Sequence, residues 1–395
     1  MKKLLTTAAC ALIMSTAAAQ ADDVKIGVLL GFTGPIESLV AQMAPGAEMA
    51  INEVSKSGAF LNGATLTAIR ADTTCVDAAA ATAAAERLIT TDGVSAIVGG
   101  DCSGVTGAVL QNVARPNGIV MISPSATSPA LTAAEDDGLF FRTAPSDARQ
   151  GAVVADILAE KGVKSIALTY TNNDYGKGLA DSIQENFTAQ GGKVTISAAH
   201  EDGKGDYSAE VGALAQAGGD ILVVAGYADQ GGRGIIQSSL DSGAFDTFYL
   251  VDGMVGASLP EAIGDALNGS YGAAPGTDSP GNGIFQELAK GNDFDPTSPY
   301  AGETYDAAAL ILLAMQAAGS SNSADFKGKV FDVANAPGEK IYPGELAKGL
   351  KILAEGGDID YVGASAVELI GPGESAGSYR QIEIKDEAIS TVKYR

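Results

Sequence analysis

Residues 95–127 read "SAIVGGDCSGVTGAVLQNVARPNGIVMISPSAT". An apolar run ends at Val98, a glycine-rich turn carries Cys102 and Ser103, and small and aliphatic residues then recur at helical spacing up to Gly118. Gly118 suits a left-handed helix end, and a second apolar run, "IVMIS", leads into the turn "PSAT". Strand, loop, helix and strand in that order describe a crossover between parallel strands. From Asp220, "DILVVAGYADQGGRGIIQSSLDSGAFDTFYLVDGMV" follows the same course with few identities, a weak internal repeat that reads as two lobes of like topology.

The alternation extends outward from both copies. "VKIGVLL" precedes "APGAEMAINEVSKSG", and "SIALTY" precedes "GKGLADSIQENFTAQGG". Continuous β-branched runs between helices mark strands covered on both faces, so the expected fold is α/β, two doubly wound lobes with parallel-type central sheets. Ligands of open α/β sheets sit beyond the carboxyl ends of the strands. That selects the loops "GGDCSG" and "SPSAT" in one lobe and "AGYADQ" and "VDGMV" in the other.

The first residues, "MKKLLTTAACALIMSTAAAQADD", have the layout of a secretory signal: Lys2 and Lys3, an apolar stretch from Leu4 to Met14, and Ala19-Gln20-Ala21 as a cleavage site. Cleavage after Ala21 would leave an exported, soluble protein with two of its three cysteines, Cys75 and Cys102. An even count in an oxidising compartment favours a disulfide between them over two buried thiols. The formal charge of −23 makes nucleic acid and anionic membrane poor partners. Two cysteines and one histidine, His200, leave no expected metal site and no base for Ser103 as a nucleophile. His200, in "SAAHEDGKGD", reads as an exposed loop residue, and no GxxxxGK[ST] or helix-opening GxGxxG supports a nucleotide or other cofactor. An enzyme is not expected.

What remains at the selected loops is a set of neutral hydrogen-bonding side chains, Ser103, Ser125, Thr127, Tyr175 and Tyr227, together with the positive end of a helix beginning near Val105. These suit a carboxylate held without a full counter-charge. Asp252, at the matching position of the second lobe, could take an ammonium group.

With those residues in view, the chain resembles the periplasmic leucine/isoleucine/valine-type binding proteins, the substrate receptors of branched-chain amino-acid ABC importers. The resemblance runs along essentially the whole mature chain. It is carried by "VKIGVLLGFTGP", "DTTCVDAAAATAAAERLI", "VGGDCSGVTGAVLQNVA", "GIVMISPSATSPALT", "YTNNDYGKGLADSI", "DILVVAGYADQG" and "PYAGETYDAAALILLA". It implies a Cys75–Cys102 disulfide, ligand carboxylate held by Ser103, Ser125 and Thr127, Tyr175 and Tyr227 from the second lobe, and ligand ammonium held by Asp252. Asp252 is one methylene shorter than the glutamate of the best-known members, and Leu39 stands where an aromatic often covers the ligand's side chain.

The resemblance further implies a three-crossover hinge near residues 145, 275 and 366. Residues 22–145 plus 275–366 would form lobe 1, and residues 146–274 plus 367–395 lobe 2. It implies a monomer in the periplasm that closes on a small neutral amino acid and is then recognised by a membrane permease. The same scaffold could instead hold an amide, a urea-like compound or an aromatic acid, or serve as a ligand-sensing subunit. No histidine lies in this candidate site, so its affinity is expected to be flat between roughly pH 6 and 8.

Overall fold

The computed structural model describes residues 23–395. The expected signal segment and cleavage point, with Cys10, lie outside the described residues. Two seven-stranded sheets dominate the described chain. The first is built on β1 (Asp23–Leu30), β2 (Thr65–Asp72), β3 (Ala96–Gly99), β4 (Met121–Ser123) and β5 (Phe140–Pro145). The second is built on β6 (Ser165–Thr171), β7 (Lys193–His200), β8 (Ile221–Ala225), β9 (Phe248–Leu250) and β10 (Tyr271–Pro275).

Within each set the strands are parallel, in the orders β5-β4-β3-β1-β2 and β10-β9-β8-β6-β7. The two orders are the same doubly wound pattern shifted by five strands. The repeat read between Ser95 and Asp220 is therefore structural: β3 and β4 occupy in one sheet the places of β8 and β9 in the other. The central strands are buried throughout, which accounts for their unbroken apolar runs. The helix Glu37–Ser57 packs on Ala301–Ala318 over the first sheet, and Asp147–Glu160 packs on Asp174–Ala189 over the second.

A small parallel pair, β11 (Glu339–Ile341) and β12 (Ile359–Tyr361), lies apart from both sheets. Four short or late strands complete the edges. β13 (Leu369–Ile370) and β14 (Glu374–Ser375) join the first sheet beside β5; β15 (Tyr379–Lys385) and β16 (Ala388–Tyr394) join the second beside β10. The last passage between sheets thus falls between Ser375 and Tyr379, not near residue 366, and the residues just after 366 belong with the first lobe. Two-residue strands carry no readable period. What seats β14 against β5 is the buried Arg142, whose Nη2 meets Glu374 Oε2 at 2.5 Å. The other passages follow Pro145 and Pro275, and Gly276 N donates to Ser378 O at 3.0 Å, so two of the crossings run side by side.

Candidate functional site

The loops after β3, β4, β8 and β9 face one another across the gap between lobes. Gly99 ends β3 with φ of 133°, and a Cβ there would stand 2.1 Å from the Leu29 carbonyl oxygen, so only glycine lets β3 lie this close to β1 as it turns. Asp101 follows, almost fully buried. Its carboxylate accepts from Gly31 N (2.5 Å), Cys102 N (2.9 Å) and Thr73 Oγ1 (2.9 Å), and burial raises its pKa. Cys102 is bonded to Cys75, with Cα atoms 5.2 Å apart, which ties this turn to the loop after β2. Ser103 begins the helix Ser103–Val109, two residues earlier than the sequence reading, and its Oγ accepts from Ser128 N (3.1 Å).

Ser125 reaches over this turn, donating to the Asp101 carbonyl (3.2 Å). Thr127 stands further back: it is fully buried, its hydroxyl has no hydrogen-bond partner, and its carbonyl accepts from Asp147 N (2.9 Å).

The second lobe contributes an aromatic and acidic wall. Tyr175 is the second residue of the helix Asp174–Ala189, whose cap Asn173 accepts from Gly176 N (2.9 Å) and donates to Tyr227 OH (3.2 Å). Tyr175 and Tyr227 stack with ring centroids 5.3 Å apart. Asp252, just after β9 and 2 % exposed, accepts at Oδ1 from Tyr175 OH (2.6 Å) and Gln150 Nε2 (2.9 Å), and at Oδ2 from Tyr300 OH. Burial and the charge of Asp252 together drive the Tyr175 and Tyr300 hydroxyls well above the usual phenol range, so both remain donors.

Tyr300 precedes the helix Ala301–Ala318 of the first lobe, so its bond to Asp252 crosses the cleft. Its backbone is left-handed, φ 67°. At the cleft mouth Ser38 N donates to Asp229 Oδ2 (2.9 Å), and Ser38 Oγ lies 3.1 Å from Ser258 Oγ.

Between these walls is a small cavity to which both lobes contribute. Ser103, Ser125, Tyr175, Tyr227, Asp252 and Leu39 all line it; Thr127 is not among the lining residues. Ile36, Leu39 and Met43 bring aliphatic side chains to the lining, and Asp101, Ser103, Ser125 and Asp252 bring polar ones. No lysine, arginine or histidine is among the lining residues.

The sequence reading missed Tyr300, Gln150, Met43 and Asp101. Asp101 stood inside the quoted turn and could have been found there. Tyr300 and Gln150 lie on segments that are neither strand ends nor repeated, so only the packing of the lobes brings them in. His200 is not an exposed loop residue: it ends β7, is buried, and its Nδ1 meets Thr169 Oγ1 at 2.8 Å. Among the described residues no group of three or more His, Cys, Asp or Glu could hold a metal ion, and no helix is long and apolar enough to cross a membrane.

Residues 23–336 match the model of a family described as periplasmic binding protein. A Leu/Ile/Val-binding protein homolog of Brucella abortus is 32 % identical over 328 residues, 81 % of this chain and 85 % of its own. A leucine-, isoleucine-, valine-, threonine- and alanine-binding protein of Pseudomonas aeruginosa is 29 % identical over 76 % of this chain and 80 % of its own. Among solved structures, a leucine-binding protein of Thermotoga maritima superposes with a TM-score of 0.79 at 22 % identity, covering 94 % of this chain and 98 % of its own. A Rhodopseudomonas palustris solute-binding protein in complex with 4-hydroxybenzoate superposes at 0.74 with 20 % identity, covering 95 % and 97 %.

Proposed function

The chain belongs to the periplasmic binding protein family, and from that premise we propose that it is the exported receptor of an ABC importer that captures a neutral aliphatic L-amino acid between its lobes. The observation that carries this reading is Asp252: a buried carboxylate in the wall of a cavity that has no basic side chain in its lining. A buried charge without a partner is costly, so the fitting ligand brings a cation of its own. An α-amino acid does so at Asp252 and leaves its carboxylate to the hydroxyl of Ser103, whose Oγ only accepts from Ser128 N, and to that of Ser125 once it turns from the Asp101 carbonyl. Ile36, Leu39 and Met43 suit an aliphatic side chain.

A carboxylic acid without an amine would instead face Asp252 and Asp101 with nothing to neutralise it. That argues against the aromatic acids bound by some relatives of the same fold. Calorimetric titration with L-leucine, L-isoleucine, L-valine and 4-hydroxybenzoate tests the choice. At least one amino acid is expected to bind with micromolar affinity or better, about −8 kcal/mol. Binding of 4-hydroxybenzoate with none of the three amino acids would overturn the reading.

A further inference from the structure

Behind the cavity, where the chain passes between lobes, four fully buried side chains carry polar atoms without partners: Thr127 Oγ1, both carboxylate oxygens of Asp147, Gln150 Oε1 and Tyr379 OH. Asp147 follows the first crossing and opens the helix Asp147–Glu160. Gln150, one turn further on, donates through Nε2 to Asp252 Oδ1 at 2.9 Å and so links this region to the cavity wall. Tyr379 opens β15 opposite Pro275, at the second and third crossings, in the field of both Asp147 and Asp252.

The charges here do not balance. Arg142 is a buried cation whose charge acts on Asp147, but its four Nη donors are committed: Nη1 to the carbonyls of Ala126 and Ser128 (3.0 Å each), Nη2 to Thr132 Oγ1 (2.6 Å) and Glu374 Oε2 (2.5 Å). Glu374 matches its charge. Arg149, on the helix of Asp147, is exposed. Asp147 and Asp252 are left as two buried carboxyl groups with no cation between them, and the charge of Asp252 disfavours a second charge on Asp147.

We propose that Asp147 is the second carboxyl group of the ammonium site: in the empty cleft it holds a proton, and a ligand ammonium arriving at Asp252 replaces that proton, which passes to bulk water. The inference rests on the amino-acid reading of the cleft. Burial first, and the charge of Asp252 second, hold the Asp147 carboxyl well above the usual carboxylate range. A positive charge brought to Asp252 works the other way and favours the ionised form. The phenols of Tyr175, Tyr300 and Tyr379 are all raised and do not compete as proton sources. Asp101, on the opposite wall, is also raised by burial, but its carboxylate accepts from three donors that favour the charged form. Binding then releases a proton, and affinity rises with pH by up to about tenfold per unit while free Asp147 is protonated. The flat profile expected from the absence of histidine gives way to a sloping one.

Titration of L-leucine into the protein in phosphate and in Tris, buffers of different ionisation enthalpy, reads the proton directly. The expected result is an apparent enthalpy that differs between buffers in the sense of release, with tighter binding as pH rises, and loss of both effects in Asp147→Asn. Equal enthalpies in the two buffers with leucine bound would overturn this inference and leave the amino-acid reading standing. Release that persists in Asp147→Asn would assign the proton elsewhere and overturn it too. If none of leucine, isoleucine and valine binds, both fall. Should Asp147→Asn fail to fold, equal enthalpies in the two buffers on the unaltered chain still overturn the inference.

Discussion

Asp252 accepts three hydrogen bonds, and a carboxylate has roughly four lone-pair positions, so one at Oδ2 is left for a ligand. Asp252→Ala is expected to weaken amino-acid binding by about 2–5 kcal/mol, the range for removing one partner of a buried charge pair. Ser103→Ala should cost less, about 1–3 kcal/mol, because the ligand carboxylate keeps other donors. Titration calorimetry on both variants, beside the melting temperature of the empty proteins, separates a ligand contact from a turn residue. Near-normal affinity in Asp252→Ala would refute the ammonium role. Tyr300 is the cavity-lining residue with a left-handed backbone, a conformation that costs a non-glycine residue about 1–3 kcal/mol. Its hydroxyl bond to Asp252 joins the lobes, so Tyr300→Phe keeps the ring but should loosen ligand binding by about 1.5–3 kcal/mol, as for a hydrogen bond to a charged group.

At the scale of elements, the turn after β3 depends on two covalent facts. One is the missing side chain at Gly99. In Gly99→Ala the new Cβ meets the backbone of β1, and a loss of about 1–3 kcal/mol in denaturant unfolding is expected. The other is the Cys75–Cys102 bond, which closes a span of 27 residues and on the chain-entropy model is worth about 3.5 kcal/mol. Reduction should lower stability by that order. It should also weaken ligand binding, because Cys102 N and the Asp101 carbonyl position Asp101 and Ser125 respectively. A reduced protein with unchanged ligand affinity would detach the bond from the site.

Across the whole molecule, two buried groups give stability opposite dependences on pH. Burial lowers the His200 pKa to about 4, with Glu210 opposing weakly, and its Nε2 has no partner to receive a charge. The unfolded chain therefore binds the proton first, and stability falls as pH drops from about 6.5 to about 4, by about 3 kcal/mol. Burial raises the Glu303 pKa to about 7. Here the folded chain holds the proton longer, and stability falls as pH rises from about 4.5 to about 7, by a similar amount. Denaturant unfolding across pH should show Glu303→Gln gaining on the unaltered protein towards neutral pH and His200→Gln gaining towards acid. Parallel curves would mean that neither group changes its titration on folding.

The sequence by itself determined the lobes and most of the cavity wall. Parallel strands buried on both faces must be written as short apolar runs, and the loops at their carboxyl ends are where a doubly wound sheet opens to ligand, so Ser103, Ser125, Tyr227 and Asp252 were legible from position alone. The doubled strand–helix–strand course made Asp252 the counterpart of the "SPSAT" loop. Tertiary structure decided the rest. Strands of two residues have no period, so the seating of β14 by Arg142 and Glu374 could not be read, and the last crossing was placed too early. Tyr300 enters the site only because the helix behind it packs on Glu37–Ser57. The burial of His200 follows from its lying at the end of a strand with the loop after β8 folded over it, which a polar-looking sequence conceals. The balance of charge around Asp147 likewise belongs to no segment: Arg142, Glu374, Gln150 and Asp252 come from four separate parts of the chain, and only their packing at the crossings makes one carboxyl group answer to another.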